Sequence, residues 1–226
     1  MRIHCHFWGG VIAVLLFGLV SSGCAVNFYT QSPRNKEKIK NLEAKITDLE
    51  AEREKEQKRF KEVELELKKK FKPQIADKSI SLERDERGLV IIVSDDILFD
   101  SGKAEFKKDA HTTLDKVAKI LEQKVPDKNI GVSGHTDNVP IKFSKWKSNW
   151  ELSTARATNV VHHLAEKGVL SAKLSATGYG EHRPLDSNAT ETGRSKNRRV
   201  EILILPEFVE KRSENIMDVT TEAPLK

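Results

Sequence analysis

The chain has 226 residues, of which 38% are hydrophobic and 32% charged, a composition more polar than that of a fully globular protein. Its 39 basic and 34 acidic residues are interleaved and leave a formal net charge of +5. This mixture favours a solvated surface and argues against nucleic acid as a partner, since no separate Lys/Arg block or nucleic-acid-binding motif is present. The two cysteines, Cys5 and Cys24, precede the polar body of the chain, which excludes a disulfide framework there.

The first residues are typical of an export signal. Residues 8–20 form an apolar run that is shorter than the roughly 20 residues needed to cross a bilayer. Small residues follow and end at Cys24, an arrangement that resembles a bacterial lipobox. The resemblance implies a signal peptide at 1–23 and a Cys24 that carries acyl chains, palmitate among them, as an anchor in the lipid bilayer. An ordinary signal peptide, with Cys24 incidental, is the alternative.

The next segments predict a short tether at 24–34 and a helical rod at 35–72. No Gly or Pro occurs between residues 35 and 71, and Glu and Lys, which favour helices, dominate. A heptad pattern favours a coiled coil, and hence a homo-oligomer formed through residues 35–71. A single solvated helix held by charge pairs is the alternative. The apolar heptad positions are Ile39, Leu42, Ile46, Leu49, Phe60, Val63 and Leu67.

Residues 73–206 predict an α/β domain, in the form of an α+β sandwich with helices packed on a sheet. Apolar runs at 89–93, 130–133, 174–178 and 200–205 predict strands. The spacing of apolar residues predicts helices at 114–121 and 148–167, the second with a capping box formed by Ser148 and Glu151 and with Gly168 at its end. Residues 207–226 are polar and predict a flexible tail.

Five motifs in this domain resemble those of the OmpA/MotB C-terminal family, in the same order. They are ILFDSG at 97–102, GHTDN at 134–138, NWELSTARA at 149–157, GYGE at 178–181 and GRSKNRRVE at 193–201. The segments DNVPI at 137–141 and SNWEL at 148–152 resemble the MotB-like branch. The resemblance implies an OmpA-like domain with a mixed sheet that binds the stem peptide of peptidoglycan without changing it chemically.

The family resemblance also implies the site. In most Gram-negative walls the stem peptide contains meso-diaminopimelate, whose side-chain end carries an ammonium and a carboxylate on one carbon. Asp137 can accept hydrogen bonds from the ammonium, and the planar guanidinium of Arg156 can bind the carboxylate in a bidentate manner. The alternative is that Asp137 and Arg156 pair only with each other. The other predicted site residues are Asn149, Arg198, Thr136, Leu152 and Gly102.

The loop at 138–147 contains Trp146, whose ring could stack on a sugar or, as is more common, fix its own loop. The residue types argue against an enzyme. His135 is expected to pack in the interior, and the adjacent His162 and His163 point about 100° apart on a helix, so that no metal site and no cofactor is predicted.

These patterns together predict a lipoprotein of the outer membrane that faces the periplasm and tethers this membrane to the cell wall. Ala25 after the cysteine favours the outer membrane, since Asp at that place is typical of inner-membrane retention in similar lipoproteins. Two alternatives stay open: an envelope scaffold that acts through the coiled coil, and a motility-associated MotB-like protein.

Overall fold

The computed structural model describes residues 33–141 and 145–206. Cys24, the signal peptide at 1–23, nearly all of the tether and the tail at 207–226 therefore lie outside the described residues. The chain divides into two compact units, Met1–Ala51 and Glu52–Lys226. None of the helices in the described ranges is both long enough and apolar enough to cross a membrane.

The first unit contains the beginning of a long helix, α1, which spans Pro33–Lys70. The predicted helix is thereby confirmed, and the lysines at its last turn, Lys68, Lys69 and Lys70, suit the negative end of the helix dipole. Side chains 35–51 are exposed, including four apolar ones at heptad spacing whose exposed fractions run from 38% to 59%. These four are Ile39, Leu42, Ile46 and Leu49.

The second unit begins inside α1, because the end of this helix belongs to the core of the domain. Phe60, Val63 and Leu67 are buried there, together with Phe71. The compact unit thus starts at Glu52, whereas the sequence predicted a domain that starts at residue 73. The later heptad positions cover the domain's own core and not the face of a second helix.

Polar contacts hold the same stretch of α1 to the domain. Arg59 binds the carboxylate of Asp127 through two nitrogens, with an Nη1–Oδ2 distance of 2.9 Å. Glu56 accepts a hydrogen bond of 2.6 Å from Lys128, and both side chains are largely buried. Glu56, which interrupts the heptad pattern, is therefore the partner of a buried lysine.

A mixed sheet of five strands forms the centre of the domain, as the family resemblance predicts. The strands are β1 (Ile80–Asp85), β2 (Gly88–Ser94), β3 (Ile130–His135), β4 (Leu174–Gly178) and β5 (Arg199–Ile204), in the spatial order β1-β2-β5-β3-β4. Only β3 and β4 are parallel. The sequence did not predict β1, because Ile80 is its only buried residue and the apolar signal is weak.

Helices pack on this sheet, which makes the domain an α/β sandwich. They are α2 (Lys72–Ala76), α3 (Asp95–Leu98), α4 (Lys108–Lys124), α5 (Asn149–Glu166) and α6 (Glu191–Asn197), with a 3₁₀ turn at Ser171–Lys173. The core alternates along the strands and repeats with helical spacing along α4 and α5. Its members include Leu89, Ile91, Val93, Leu114, Leu121, Val160, Leu164, Val200, Ile202 and Ile204.

Helix α5 lies unusually close to β3 and β4. A Cβ atom at Gly134 would collide with the carbonyl oxygen of Ser153, and one at Gly178 would collide with Thr154. Gly168 has φ +98° and follows Lys167, the C-cap residue of α5, so that it stands at the end of the helix as expected. The predicted capping box is not formed, because Ser148 makes no side-chain cap and Glu151 accepts the backbone N–H of Lys147 at 2.7 Å instead.

Candidate functional site

A pocket of about 700 Å³ opens where β2 and β3 end and β5 begins. Antiparallel pairing brings these three termini to one edge of the sheet, and the close approach of α5 adds the first turns of that helix. Seven residues predicted from sequence line this pocket together. They are Gly102, Thr136, Asp137, Asn149, Leu152, Arg156 and Arg198.

Arg156 is buried at the pocket and its guanidinium is held on several sides. Nη1 lies 2.9 Å from a carboxylate oxygen of Asp95, and Nε donates to the carbonyl of Lys103 at 2.8 Å. Nη2 donates to the carbonyl of Asp100 at 3.3 Å, and the group lies 5.0 Å from the ring centre of Phe99. Burial lowers the pKa of Arg156 from its usual value, while Asp95 opposes this shift. The guanidinium plane is thus fixed before any ligand arrives.

Asp95 is a pocket residue that the sequence analysis missed. It follows β2 directly, a position at a strand end that is a general signal for ligand-binding groups. Within the described part of the chain, no group hydrogen-bonds its second oxygen, Oδ1. Burial raises the pKa of Asp95 to about 7, although the charge of Arg156 acts in the opposite direction.

Asp137 does not pair with Arg156, which removes the simple alternative considered from sequence. Its Oδ2 lies 2.9 Å from Nη1 of Arg198, and its Oδ1 accepts the backbone N–H of Val139 at 3.0 Å. Arg198 is shared with Glu191, at 3.2 Å. Asp137 and Arg156 therefore belong to separate ion pairs, Asp137–Arg198 and Asp95–Arg156.

Asn149 connects three segments around the pocket. Its amide nitrogen lies 2.7 Å from a carboxylate oxygen of Glu181 and 3.2 Å from the carbonyl of Val139. A third contact, of 3.3 Å, reaches the carbonyl of Asp137. Asn149 is the first residue of α5 and its side chain bonds to loops, so this side chain does not cap the helix.

The remaining lining gives the pocket a mixed character. Apolar groups from Phe99, Ile141 and Leu152 stand beside acidic and basic side chains. Such a surface suits a small ligand that carries both charges on a short apolar stem. Across residues 33–141 and 145–206, no three His, Cys, Asp or Glu side chains are arranged to hold a metal ion.

Two aromatic residues singled out from sequence have structural contacts. The indole N–H of Trp146 donates to the carbonyl of Gly102 at 3.1 Å, which ties this side chain to a residue that lines the pocket. His135 is buried against Tyr179, with ring centres 5.2 Å apart. Burial, and then the charge of Arg199, lower the pKa of His135 to about 4, so the ring is neutral near pH 7.

The comparisons with known proteins agree with this fold. Residues 98–198 match the model of the OmpA family. The chain is 43% identical over 152 residues to Motility protein B of Bacillus subtilis, covering 67% of this chain and 58% of that protein. It is 30% identical over 137 residues to the lipoprotein YiaD of Escherichia coli, covering 61% and 60% respectively.

Two solved structures extend the comparison. The cell wall anchor of the T6SS from Pseudomonas aeruginosa is 30% identical, with a TM-score of 0.57 and coverage of 62% of this chain and 97% of that one. A MotB-like protein from Desulfovibrio vulgaris is 28% identical, with a TM-score of 0.63 and coverage of 70% and 99%.

The sheet, the pocket and these matches define an OmpA-like domain. This domain is the MotB-like variant. The chain spans 58% and 60% of the lengths of Motility protein B and YiaD.

Proposed function

We propose that this chain binds the stem peptide of peptidoglycan non-covalently and so tethers a membrane to the cell wall. The observation that carries the proposal is the placement of Asp137 and Arg156 in one pocket, each held by its own partner of opposite charge. A ligand with one ammonium and one carboxylate can then bind both residues at once, because Asp137 and Arg156 do not neutralise each other.

The proposed ligand group is the end of meso-diaminopimelate. Its ammonium would bind Asp137 and the carbonyls near it, and its carboxylate would bind the guanidinium groups of Arg156 and Arg198. Hydrogen bonds to charged groups contribute about 1.5–3 kcal/mol each, so two such contacts would supply about 3–6 kcal/mol of the roughly 8 kcal/mol that micromolar binding needs. No chemical step is proposed, because recognition of the stem needs neither a nucleophile nor a cofactor.

Attachment to the outer membrane through acylated Cys24 is part of the same proposal. It is supported by the lipobox-like residues that end at Cys24 and by the similarity to a protein named as a lipoprotein, YiaD. A domain at the wall and an anchor in the outer membrane, joined by a helical segment, would link the two layers on the periplasmic side.

A motility-associated role is the second candidate, and the identity to Motility protein B favours it. The two roles differ in what loss of the gene would change. Loss of a tether would sensitise cells to detergent and leave swimming in soft agar intact, whereas loss of a motility component would stop swimming.

The decisive experiment is co-sedimentation of the full-length protein in detergent with purified sacculi that contain diaminopimelate. Wild type is expected to sediment with the sacculi, while Asp137→Asn and Arg156→Lys are expected to remain in solution. Arg156→Lys keeps the positive charge beside Asp95 but lacks the planar fork. Arg84→Ala, which removes an exposed cation outside the pocket, is the matched control.

The folded state of each variant is checked by circular dichroism. If folded Arg156→Lys and Asp137→Asn sedimented as wild type does, the pocket would not be the binding site. If wild type itself stayed in solution, an envelope scaffold that binds other proteins through α1 would replace the proposal.

A further inference from the structure

Trp150 is a large aromatic residue that remains exposed at the surface of the domain. It lies in the first turn of α5, and 48% of its side chain is accessible. One face of the indole stacks on the imidazole of His182, with ring centres 4.8 Å apart and an angle of 24° between the planes. The pair therefore presents a flat apolar surface to solvent.

This aromatic surface adjoins the pocket. Asn149, the residue before Trp150, lines the pocket and bonds to Glu181, the residue before His182. Val139, which is 51% exposed and lines the pocket, accepts the other contact from the Asn149 amide. The rim from Val139 through Asn149 and Glu181 thus leads from the pocket to the aromatic pair.

The backbone fixes the two rings relative to the strand end. Gly180 has φ +54° and packs against the backbone of Trp150, and its carbonyl accepts the N–H of Thr136 at 2.9 Å. The backbone N–H of His182 donates to Tyr179 at 3.2 Å. Because the surface is preformed, a ligand would lose little conformational freedom of the protein on binding.

The chemistry of this surface suits a sugar. The C–H face of a pyranose is apolar and flat, and it stacks on an aromatic ring, while hydroxyl and acetamido groups at its edge need hydrogen-bonding partners. Glu181 and Asn149 precede the two ring residues in the sequence and are bonded to each other through Oε2, so that the second carboxylate oxygen of Glu181 could accept a hydrogen bond from such a group. Trp146 is a less suitable sugar-binding residue, because its indole N–H already donates to the carbonyl of Gly102.

We propose that Trp150 and His182 form a carbohydrate subsite for the amino sugar that carries the stem peptide bound in the pocket. This inference rests on the proposed function, because the sugar would be held next to its own peptide. The subsite would bind the glycan strand and so favour wall polymer over free peptide fragments.

The test is calorimetric titration of the full-length protein with two ligands, a free tripeptide that ends in diaminopimelate and the same tripeptide attached to its disaccharide. Wild type is expected to bind the disaccharide form more tightly. Trp150→Ala should weaken that form between about threefold and tenfold and leave the free tripeptide unchanged. Trp150→Phe, which keeps a stacking ring, should retain most of the affinity.

His182→Ala provides a second variant in case α5 is disturbed, and Leu170→Ala removes an exposed apolar side chain outside the pocket as control. Equal affinity of wild type for the two ligands, or equal loss of both in Trp150→Ala, would overturn the subsite and leave the proposed function standing. Absence of binding to either ligand would overturn both.

Discussion

The guanidinium of Arg156 is bound to the carboxylate of Asp95, with 2.9 Å between Nη1 and Oδ2 and both side chains buried. Asp95 therefore offsets part of the cost of burying Arg156 and helps to hold its guanidinium in place. Asp137, which the family motifs place beside Arg156, is left to pair with Arg198. Each of the two charges proposed to bind the ligand is therefore held by a partner of its own.

Asp95 should make stability depend on pH. Its pKa is about 7 in the folded protein, against the ordinary 3.8 of an exposed Asp, so the folded state binds more protons between these values. The stabilising contribution is complete below pH 3.8 and is lost as the pH rises through 7. We expect Asp95→Asn to be less sensitive than wild type to a change from pH 4.5 to 7.5, measured by urea unfolding. Asp96→Asn, which changes an exposed residue, should show the same change in stability between pH 4.5 and 7.5 as wild type.

His135 should change stability with pH in the opposite direction to Asp95. Its pKa is about 4 in the folded protein, against the ordinary 6.5 of an exposed His, so the unfolded state binds more protons between these values. Its contribution is complete above pH 6.5 and is lost as the pH falls through 4. His135→Phe keeps the ring against Tyr179 and should remove this acid-induced loss in thermal unfolding. The exposed His162→Gln is the reference variant. If His135→Phe lost thermal stability on acidification as steeply as this reference does, the prediction would be contradicted.

Gly134 should be sensitive to the smallest side chain. Gly134→Ala places a methyl group against the carbonyl of Ser153 and must push α5 away from β3. We expect a loss of about 1–3 kcal/mol in the free energy of unfolding, together with weaker sedimentation with sacculi. Gly131→Ala in the same strand is the matched control, because its Cβ would meet other atoms no closer than 3.7 Å. Similar losses in the two variants would show that close packing is not the cause.

Cys24 should carry the membrane anchor. Cells fed labelled palmitate are expected to transfer the label to wild-type protein and not to Cys24→Ser, because the thiol is the predicted attachment point. The unlabelled variant should leave the membrane fraction, since the anchor is lost. The control variant Cys5→Ser, which keeps Cys24, should be labelled normally. Label in Cys24→Ser would disprove lipidation at this residue.

The exposed apolar residues of α1 predict self-association. Ile39, Leu42, Ile46 and Leu49 repeat at heptad spacing and lie on the exposed helix surface. Sedimentation equilibrium should show a concentration-dependent dimer for wild type and a shift toward monomer for Leu42→Lys combined with Ile46→Lys. Lys45→Ala changes an exposed residue outside this pattern and should leave the dimer intact. A monomeric wild type at high concentration would rule out association through this segment.

Much of the fold and site followed from local patterns. The long helix, four of the five strands and both main helices were predicted, because continuous apolar runs and helical spacing are properties of neighbouring residues. The motifs also identified seven residues that line one pocket. What they bind stays a prediction, as does the lipid anchor at Cys24, which lies outside the described residues.

Other features depended on which distant segments meet. The sequence alone determined that residues 35–71 form a helix with an apolar stripe, but only the tertiary structure decided that Phe60, Val63 and Leu67 cover the domain's own core. It alone decided that Asp95 is the partner of Arg156, and that Trp146 is bound to Gly102 while Trp150 stays exposed. The physical reason is that periodicity shows which side chains need burial or a partner, whereas the register of the sheet and the approach of α5 set which groups come within reach.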